Sequence, residues 1–440
     1  MEETRMDWRA EYQKKLMTPE AAVERIKSGD RVVIGHAVGE PVTLTNAMVK
    51  NAENYKNVEI VHMVPMGDSL YCQPGMAEHF RHNSLFVGAT TRNAVADGRA
   101  DFTPVFFSDI PDLFRTTLPV DVALVNLSVP DEHGFCSFGV SVDYTKPAAE
   151  CAKRVIAQVN TEMPRTLGDS FIHISNLDAI VEVSEPIIEL PLPRIGEVER
   201  AIGRNCATLI QDGDTLQLGI GAIPNAVMSF LEEKKDLGLH SEMFSDGAVA
   251  LMEAGIITNR RKNFHPGKSV VTFLMGTKHL YKFVDNNPAI EMVSVDFVNN
   301  PGIIARNDNL ISINSCVQVD LMGQVVSSSV GLTQISGVGG QLDFVRGAKM
   351  SRGGKAIIAM PSTAAQGKIS RIVSVVDHGA AVTTDRCDVD YVVTEWGVAP
   401  LHGRTLRDRA NALIRITRPD FQDGLIEEYE KRFHEKYVRS

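Results

Sequence analysis

Cysteine, long apolar runs and surplus basic charge are all scarce in this chain, and each shortage removes a class of protein. There are 6 cysteines in 440 residues. The cysteines (Cys72, Cys136, Cys151, Cys206, Cys316 and Cys387) show no C-x-x-C spacing. Neither a disulfide framework nor a cysteine zinc module is therefore expected, and reduced thiols in a cytoplasmic protein are. The longest apolar runs, near 120–125 and 248–257, fall far short of a membrane-spanning helix. The 45 basic residues are outnumbered by 55 acidic ones, for a formal charge of -10. That balance argues against a protein that coats nucleic acid, while leaving room for a local basic patch. Residues 1–8 are charged and contain no apolar core, so no signal peptide is expected. His79 and His82 form an isolated H-x-x-H without a third ligand nearby, which predicts packing or surface roles and no metal. What is present, 44% hydrophobic and 23% charged residues, is a globular composition.

At this length two domains are the default. An internal repeat supports that. Residues 28–41 read SGDRVVIGHAVGEP and residues 212–225 read DGDTLQLGIGAIPN. Each copy follows a stretch of helical apolar spacing, 19–27 and 198–211. Each then predicts a Gly-Asp turn, a short buried strand over 31–34 or 215–218, a glycine loop and a proline-initiated helix. A second echo pairs Asp131-x-x-Gly134 with Asp320-x-x-Gly323, both after strand-like segments at 121–128 and 309–317. The pattern predicts two homologous open α/β domains with largely parallel sheets. Prolines 186, 191 and 193 put the boundary near 188, giving domains over 1–188 and 189–440. Ligands of such sheets bind beyond the carboxyl ends of strands, where both glycine loops sit.

Gly219, Gly221 and Glu242 begin like a dinucleotide-binding fingerprint, with an acid about twenty positions after the glycines. The third glycine is replaced by Pro224, however, and the segment carrying Glu242 is poor in β-branched residues. The physical content that survives is a strand–loop–helix junction whose backbone N–H groups suit an anion or oxyanion. A plain tight turn would need the same glycines. Glu242 has apolar residues on both sides, which suggests a partly buried carboxylate at a strand end.

Several of these segments together resemble the family I CoA-transferases, in the branch of acetyl-CoA hydrolase/transferase, 4-hydroxybutyrate CoA-transferase and butyryl-CoA:acetate CoA-transferase. The resemblance runs through Gly35-His36 to Pro41, Gly219 to Val227 and His240-Ser241-Glu242-Met243-Phe244-Ser245-Asp246-Gly247. It continues through Ser336-Gly337-Val338-Gly339-Gly340-Gln341-Leu342-Asp343-Phe344 and Thr394-Glu395-Trp396-Gly397, where the family usually has Tyr in place of Trp396.

The resemblance implies that Glu242 is the nucleophile of a ping-pong exchange through a glutamyl-CoA thioester. It also implies an active site in the cleft between the two domains. Gly219, Ile220, Gly221, Ala222 and Ile223 would face the thioester, and Val317, Ser336 and Gly340 would contact CoA. His36, Glu40 and Gln217 would line the acyl pocket. Asp343 reads as a helix cap. Acyl-CoA and short carboxylic acids are the implied partners, with coenzyme A as substrate, no permanently bound cofactor, and a homodimer or higher homo-oligomer as the assembly. An acyl-CoA hydrolase shares the same intermediate, and a sugar-phosphate-binding α/β protein could use the same glycine loop.

Overall fold

The computed structural model describes residues 7–439, so most of the charged opening segment lies outside the described residues. The chain forms two compact units. The first takes the chain up to Pro191 together with Val270–Val298, and the second takes Leu192–Ser269 together with the chain from Asn299 on. The inserted 270–298 segment is held in the first unit by backbone bonds such as Leu274 N to Val140 O, 2.8 Å, and Val142 N to Thr272 O, 3.1 Å. The units are therefore not contiguous in sequence.

The sheet of the first unit contains β1 (Arg31–Ile34), β2 (Val58–Met63), β3 (Phe80–Phe86), β4 (Ala100–Phe102), β5 (Val122–Leu127), β6 (Arg154–Asn160) and β7 (Ala179–Val183). Their order is β4-β3-β2-β1-β5-β6-β7, and every pairing is parallel. The second unit contains β8 (Thr215–Leu218), β9 (Gly238–Leu239), β10 (Leu310–Asn314), β11 (Lys355–Ala359), β12 (Tyr391–Thr394) and β13 (Gly397–Pro400). They run β9-β8-β10-β11-β12-β13, parallel except for the last pair. The cores of the two sheets, β2-β1-β5-β6-β7 and β9-β8-β10-β11-β12, have the same topology. Central strands of parallel sheets are covered on both faces and read as apolar runs. The VALVNL sequence of β5 is buried at every position.

The repeat is visible at the level of single hydrogen bonds. Lys27 N donates to Asp30 Oδ2 and Gln211 N to Asp214 Oδ2, both at 2.8 Å. Gly29 and Gly213 between them have φ of +82° and +81°, a conformation that favours glycine. The second echo behaves alike: Asp131 Oδ1 accepts from the N–H groups of residues 133 and 135, and Asp320 Oδ1 from those of 322 and 324. Strands β1 and β8 span the residues expected of them.

Helix α1 is shorter than expected, Pro19–Val23, because Arg25 and Ile26 bond three residues back and lead the chain into the Gly-Asp turn. Helices α2 (Val42–Lys50) and α3 (Glu197–Ala207) flank the glycine turns. Helix α4 (Ala222–Met228) starts two residues before Pro224 rather than after it. A proline in the first turn is tolerated because that N–H has no partner inside the helix. Two further helices matter below, α5 (Pro301–Ile304) and α6 (Gln341–Met350). The core of the first unit lies between α1, α2 and one face of its sheet, with Val23, Leu44, Met48, Ile60, Leu124 and Ile156 buried.

Candidate active site

In the second unit the strand order reverses between β8 and β10, so their carboxyl ends form the crevice where ligands of open α/β sheets bind. Gly219 follows β8 directly. A side chain built on Gly219 or Gly221 meets nothing within 4 Å, and Ile220 is exposed, so the backbone of this loop is open to approach. Gly221 has φ +113° and caps α4 without a side chain.

Glu242 reaches this crevice from β9. His240 N donates to Leu216 O, 3.1 Å, and the buried Ser241 hydroxyl donates to Leu218 O, 3.1 Å. These bonds tie the Glu242 segment to the end of β8 where the glycine loop begins. The Glu242 side chain is half-buried, and its Oε2 accepts a hydrogen bond from Asn299 Nδ2, 3.0 Å. The carboxylate occupies the space that a side chain at Gly340 would fill: a Cβ there would lie 1.9 Å from Glu242 Oε2 and 2.2 Å from Asn299 Nδ2. Gly340 is the N-cap of α6, so the carboxylate sits at the positive end of a ten-residue helix. The second N–H of Asn299 points to Asp343 Oδ2, 3.4 Å. Asn299 and Asp343 are both buried.

Gln217 is buried on β8, and its Oε1 accepts from Ser312 Oγ, 2.9 Å, and Asn314 Nδ2, 3.1 Å, on the neighbouring β10. Its Nε2 makes a longer bond to Asn314 Oδ1, 3.4 Å, and is the half of the amide with donor capacity left. Val317 and Ser336 flank one segment: Val317 N donates to Val326 O, 2.7 Å, and Ser336 Oγ to Ser327 O, 3.2 Å.

His36 and Glu40 belong to the first unit, after β1. His36 is buried, its Nδ1 lies 3.1 Å from Asp143 Oδ2, and its ring meets Phe273 edge-on. Glu40 Oε2 accepts from Met66 N, 3.0 Å, and Gly67 N, 2.8 Å. Burial pushes its carboxyl above the usual carboxylate range; the two N–H groups pull the other way, and Asp68 adds to the rise. His82, from the H-x-x-H pair, is a packed core residue whose Nδ1 donates to Ile60 O, 3.0 Å. Among the described residues, no group of three or more His, Cys, Asp or Glu side chains is placed to hold a metal. No helix among them is long and apolar enough to cross a membrane.

Asn299, Ser241 and Asp143 were not singled out from the sequence. Asn299 did leave a signal. In Asn299-Asn300-Pro301 one asparagine suffices to cap α5, and Asn300 Oδ1 does so by accepting from Gly302 N, 2.9 Å. The other asparagine, buried and unneeded by the cap, is the one that grips Glu242.

Fold and site define a class: a duplicated open α/β protein presenting a held carboxylate beside an open backbone loop at strand ends. Residues 1–190 match the family described as Acetyl-CoA hydrolase/transferase N-terminal domain, and residues 276–429 the corresponding C-terminal domain. The chain belongs to the acetyl-CoA hydrolase/transferase family. It is 64% identical to the 4-hydroxybutyrate coenzyme A transferase of Clostridium kluyveri, over 97% of this chain and 100% of that one. It is 39% identical to the butyryl-CoA:acetate CoA-transferase of Anaerostipes caccae, over 97% and 98%. The crystal structure of a 4-hydroxybutyrate CoA-transferase from Porphyromonas gingivalis superposes with a TM-score of 0.83 at 46% identity, covering 97% of this chain and 100% of that one.

Proposed function

We propose that Glu242 is the covalent nucleophile of a CoA exchange in which 4-hydroxybutyrate or butyrate, with acetate, are the acids. The chain is a CoA-transferase acting between a short-chain acyl-CoA and a free carboxylate. The observation that carries the nucleophile assignment is the seating of Glu242 in the space left by Gly340, with Asn299 on one oxygen. A carboxylate is a weak nucleophile, and holding it at a fixed place and angle converts part of the barrier into binding already done.

In the first step a Glu242 oxygen attacks the acyl-CoA carbonyl, the C–S bond breaks, and an acyl–glutamyl anhydride forms with CoA thiolate leaving. The thiolate then attacks the Glu242 carbonyl carbon, releasing the first acid as its carboxylate and leaving a glutamyl-CoA thioester. A second acid runs the two steps in reverse. Each addition places negative charge on a carbonyl oxygen. The open backbone around Gly219, Ile220, Gly221, Ala222 and Ile223 supplies N–H groups for that charge, and the free N–H of Gln217 supplies another. CoA lies along Val317, Ser336 and Gly340. Coenzyme A is a substrate throughout. The enzyme works in the cytoplasm as a homodimer or larger homo-oligomer.

Incubation with butyryl-CoA and no acceptor acid tests the nucleophile. Intact mass should rise by one CoA at Glu242, and borohydride should then inactivate the enzyme irreversibly. No adduct, together with intersecting double-reciprocal lines, would refute covalent catalysis. An adduct that decays without acceptor would instead mark a hydrolase, since only water could resolve it.

A further inference from the structure

We propose that Asp343 is a positioning residue for Glu242 that acts through Asn299; the proposal rests on Glu242 being the nucleophile. Both N–H groups of Asn299 point at carboxylates, Glu242 Oε2 at 3.0 Å and Asp343 Oδ2 at 3.4 Å. A carboxylate can only accept, so the amide is fixed with nitrogen toward the two acids and oxygen away. Asn299 Oδ1 is buried with no hydrogen-bond partner. An orphaned buried acceptor costs about 1–3 kcal/mol, so this orientation is maintained against a penalty. Two acceptors on the nitrogen side hold it there more firmly than one.

Helix α6 supplies the geometry. Gly340, Asp343 and Gly347 recur at helical spacing and share one face. Gly340 leaves room for the Glu242 carboxylate. Gly347 lets Ile304 of α5 press against the helix, where a Cβ would lie 2.3 Å from Ile304 Cγ2. That close approach brings the chain just before α5, and Asn299 on it, against Asp343. With Asp343 removed, the amide keeps only its bond to Glu242 and can turn. The nucleophile then loses a fixed donor without losing any contact to CoA.

A double-mutant cycle decides this. Turnover and KM are measured with butyryl-CoA and acetate for Asn299→Ala, Asp343→Ala, the double variant, and Glu242→Ala, with melting temperature recorded for each. Asp343→Ala should lower kcat roughly 10- to 100-fold, as loss of orientation does, with KM little changed. The double variant should be no slower than Asn299→Ala alone, because the route through Asn299 is already gone. Asp343→Asn, which keeps an acceptor oxygen, should recover most of the rate. Effects that multiply in the double variant, or an Asp343→Ala enzyme with unchanged kcat, would overturn the proposal while leaving Glu242 intact as nucleophile. Transfer surviving in Glu242→Ala would overturn the nucleophile assignment and this proposal with it. If Asp343→Ala does not fold, Asp343→Ser takes its place in the cycle, since its hydroxyl is too short to reach Asn299.

Discussion

Gly340→Ala isolates the placement of Glu242 better than any change to the glutamate itself. The backbone at Gly340 has φ -92° and ψ 4°, which alanine adopts, so the substitution adds one methyl group and no backbone strain. That methyl would lie 1.9 Å from Glu242 Oε2, 2.2 Å from Asn299 Nδ2 and 2.9 Å from Glu242 Cδ. All three atoms belong to side chains, and the end of a glutamate swings aside easily. Restoring ordinary contact moves the carboxylate by on the order of 1 Å and parts it from Asn299. Displacements of that size cost about 100-fold in rate when the displaced group reacts. Stability should fall by about 1–3 kcal/mol, several degrees in Tm for units of this size, because the buried Asn299 cannot swing clear as the glutamate can. The assay follows acetyl-CoA formation from butyryl-CoA and acetate beside a thermal melt, and mass spectrometry of the enzyme incubated without acceptor shows how much glutamyl-CoA accumulates. A Gly340→Ala enzyme with kcat within about threefold of wild type would refute the placement, because the methyl and the carboxylate cannot share that space.

Two other outcomes follow from the structure. Gly219→Ala should leave the melting temperature unchanged, because its Cβ meets nothing within 4 Å and its φ is not in the left-handed region, yet slow transfer by blocking approach to the loop backbone; unchanged turnover would mean that the loop is only a turn. Burial lowers the imidazole of His82 from its usual 6.5 to about 4 against the opposing pull of its Ile60 bond and Asp101, and burial with its histidine neighbours lowers His62 well below the usual value. The unfolded chain therefore binds these protons first. The stability these two histidines contribute is complete above pH 6.5 and falls as pH drops toward 4, on the order of 3 kcal/mol for His82 alone, about 2.5 pH units at 1.36 kcal/mol each. Urea melts at pH 7 and 4.5 measure it, and a slope as steep in His82→Gln would refute the attribution.

What was legible in the sequence is what is encoded locally. The Gly-Asp turns at 29–30 and 213–214 lie within a few residues of the bonds that define them, so the repeat fixed strands β1 and β8 to the residue. The paired Asp-x-x-Gly turns are as compact, and they follow β5 and β10, the strands that lie beside β1 and β8 in their sheets. Glu242 was singled out because apolar residues stand on both sides of it, and its half-burial agrees with that expectation. The 270–298 excursion was not: its strands are short, and the bonds that hold it in the first unit, such as Leu274 N to Val140 O, join residues more than a hundred positions apart. Helix ends were less legible than strands for a related reason. Where α1 stops is set by bonds three residues back, and no residue type announces those.

The Glu242 cluster shows the same division inside one site. Its members stand 57 and 44 residues apart along the chain. No window of sequence contains two of them except α6, where Gly340 and Asp343 share a face. Read alone, Asp343 suggests a cap and Gly340 a turn, but the N-cap of α6 is Gly340 itself and no side chain caps that helix. The local reading of Asp343 therefore fails, and it hides the long-range bond to Asn299. Asn299 exposes it from the other side: the cap of α5 is already supplied by Asn300, and an extra asparagine buried with an unpaired oxygen has no local purpose. A residue whose local role is already filled, and whose burial carries a cost, is where a distant partner should be sought. Here that partner is the carboxylate to which the chemistry is assigned. The neighbouring helix lacks a Cβ at the one position where it would displace that carboxylate.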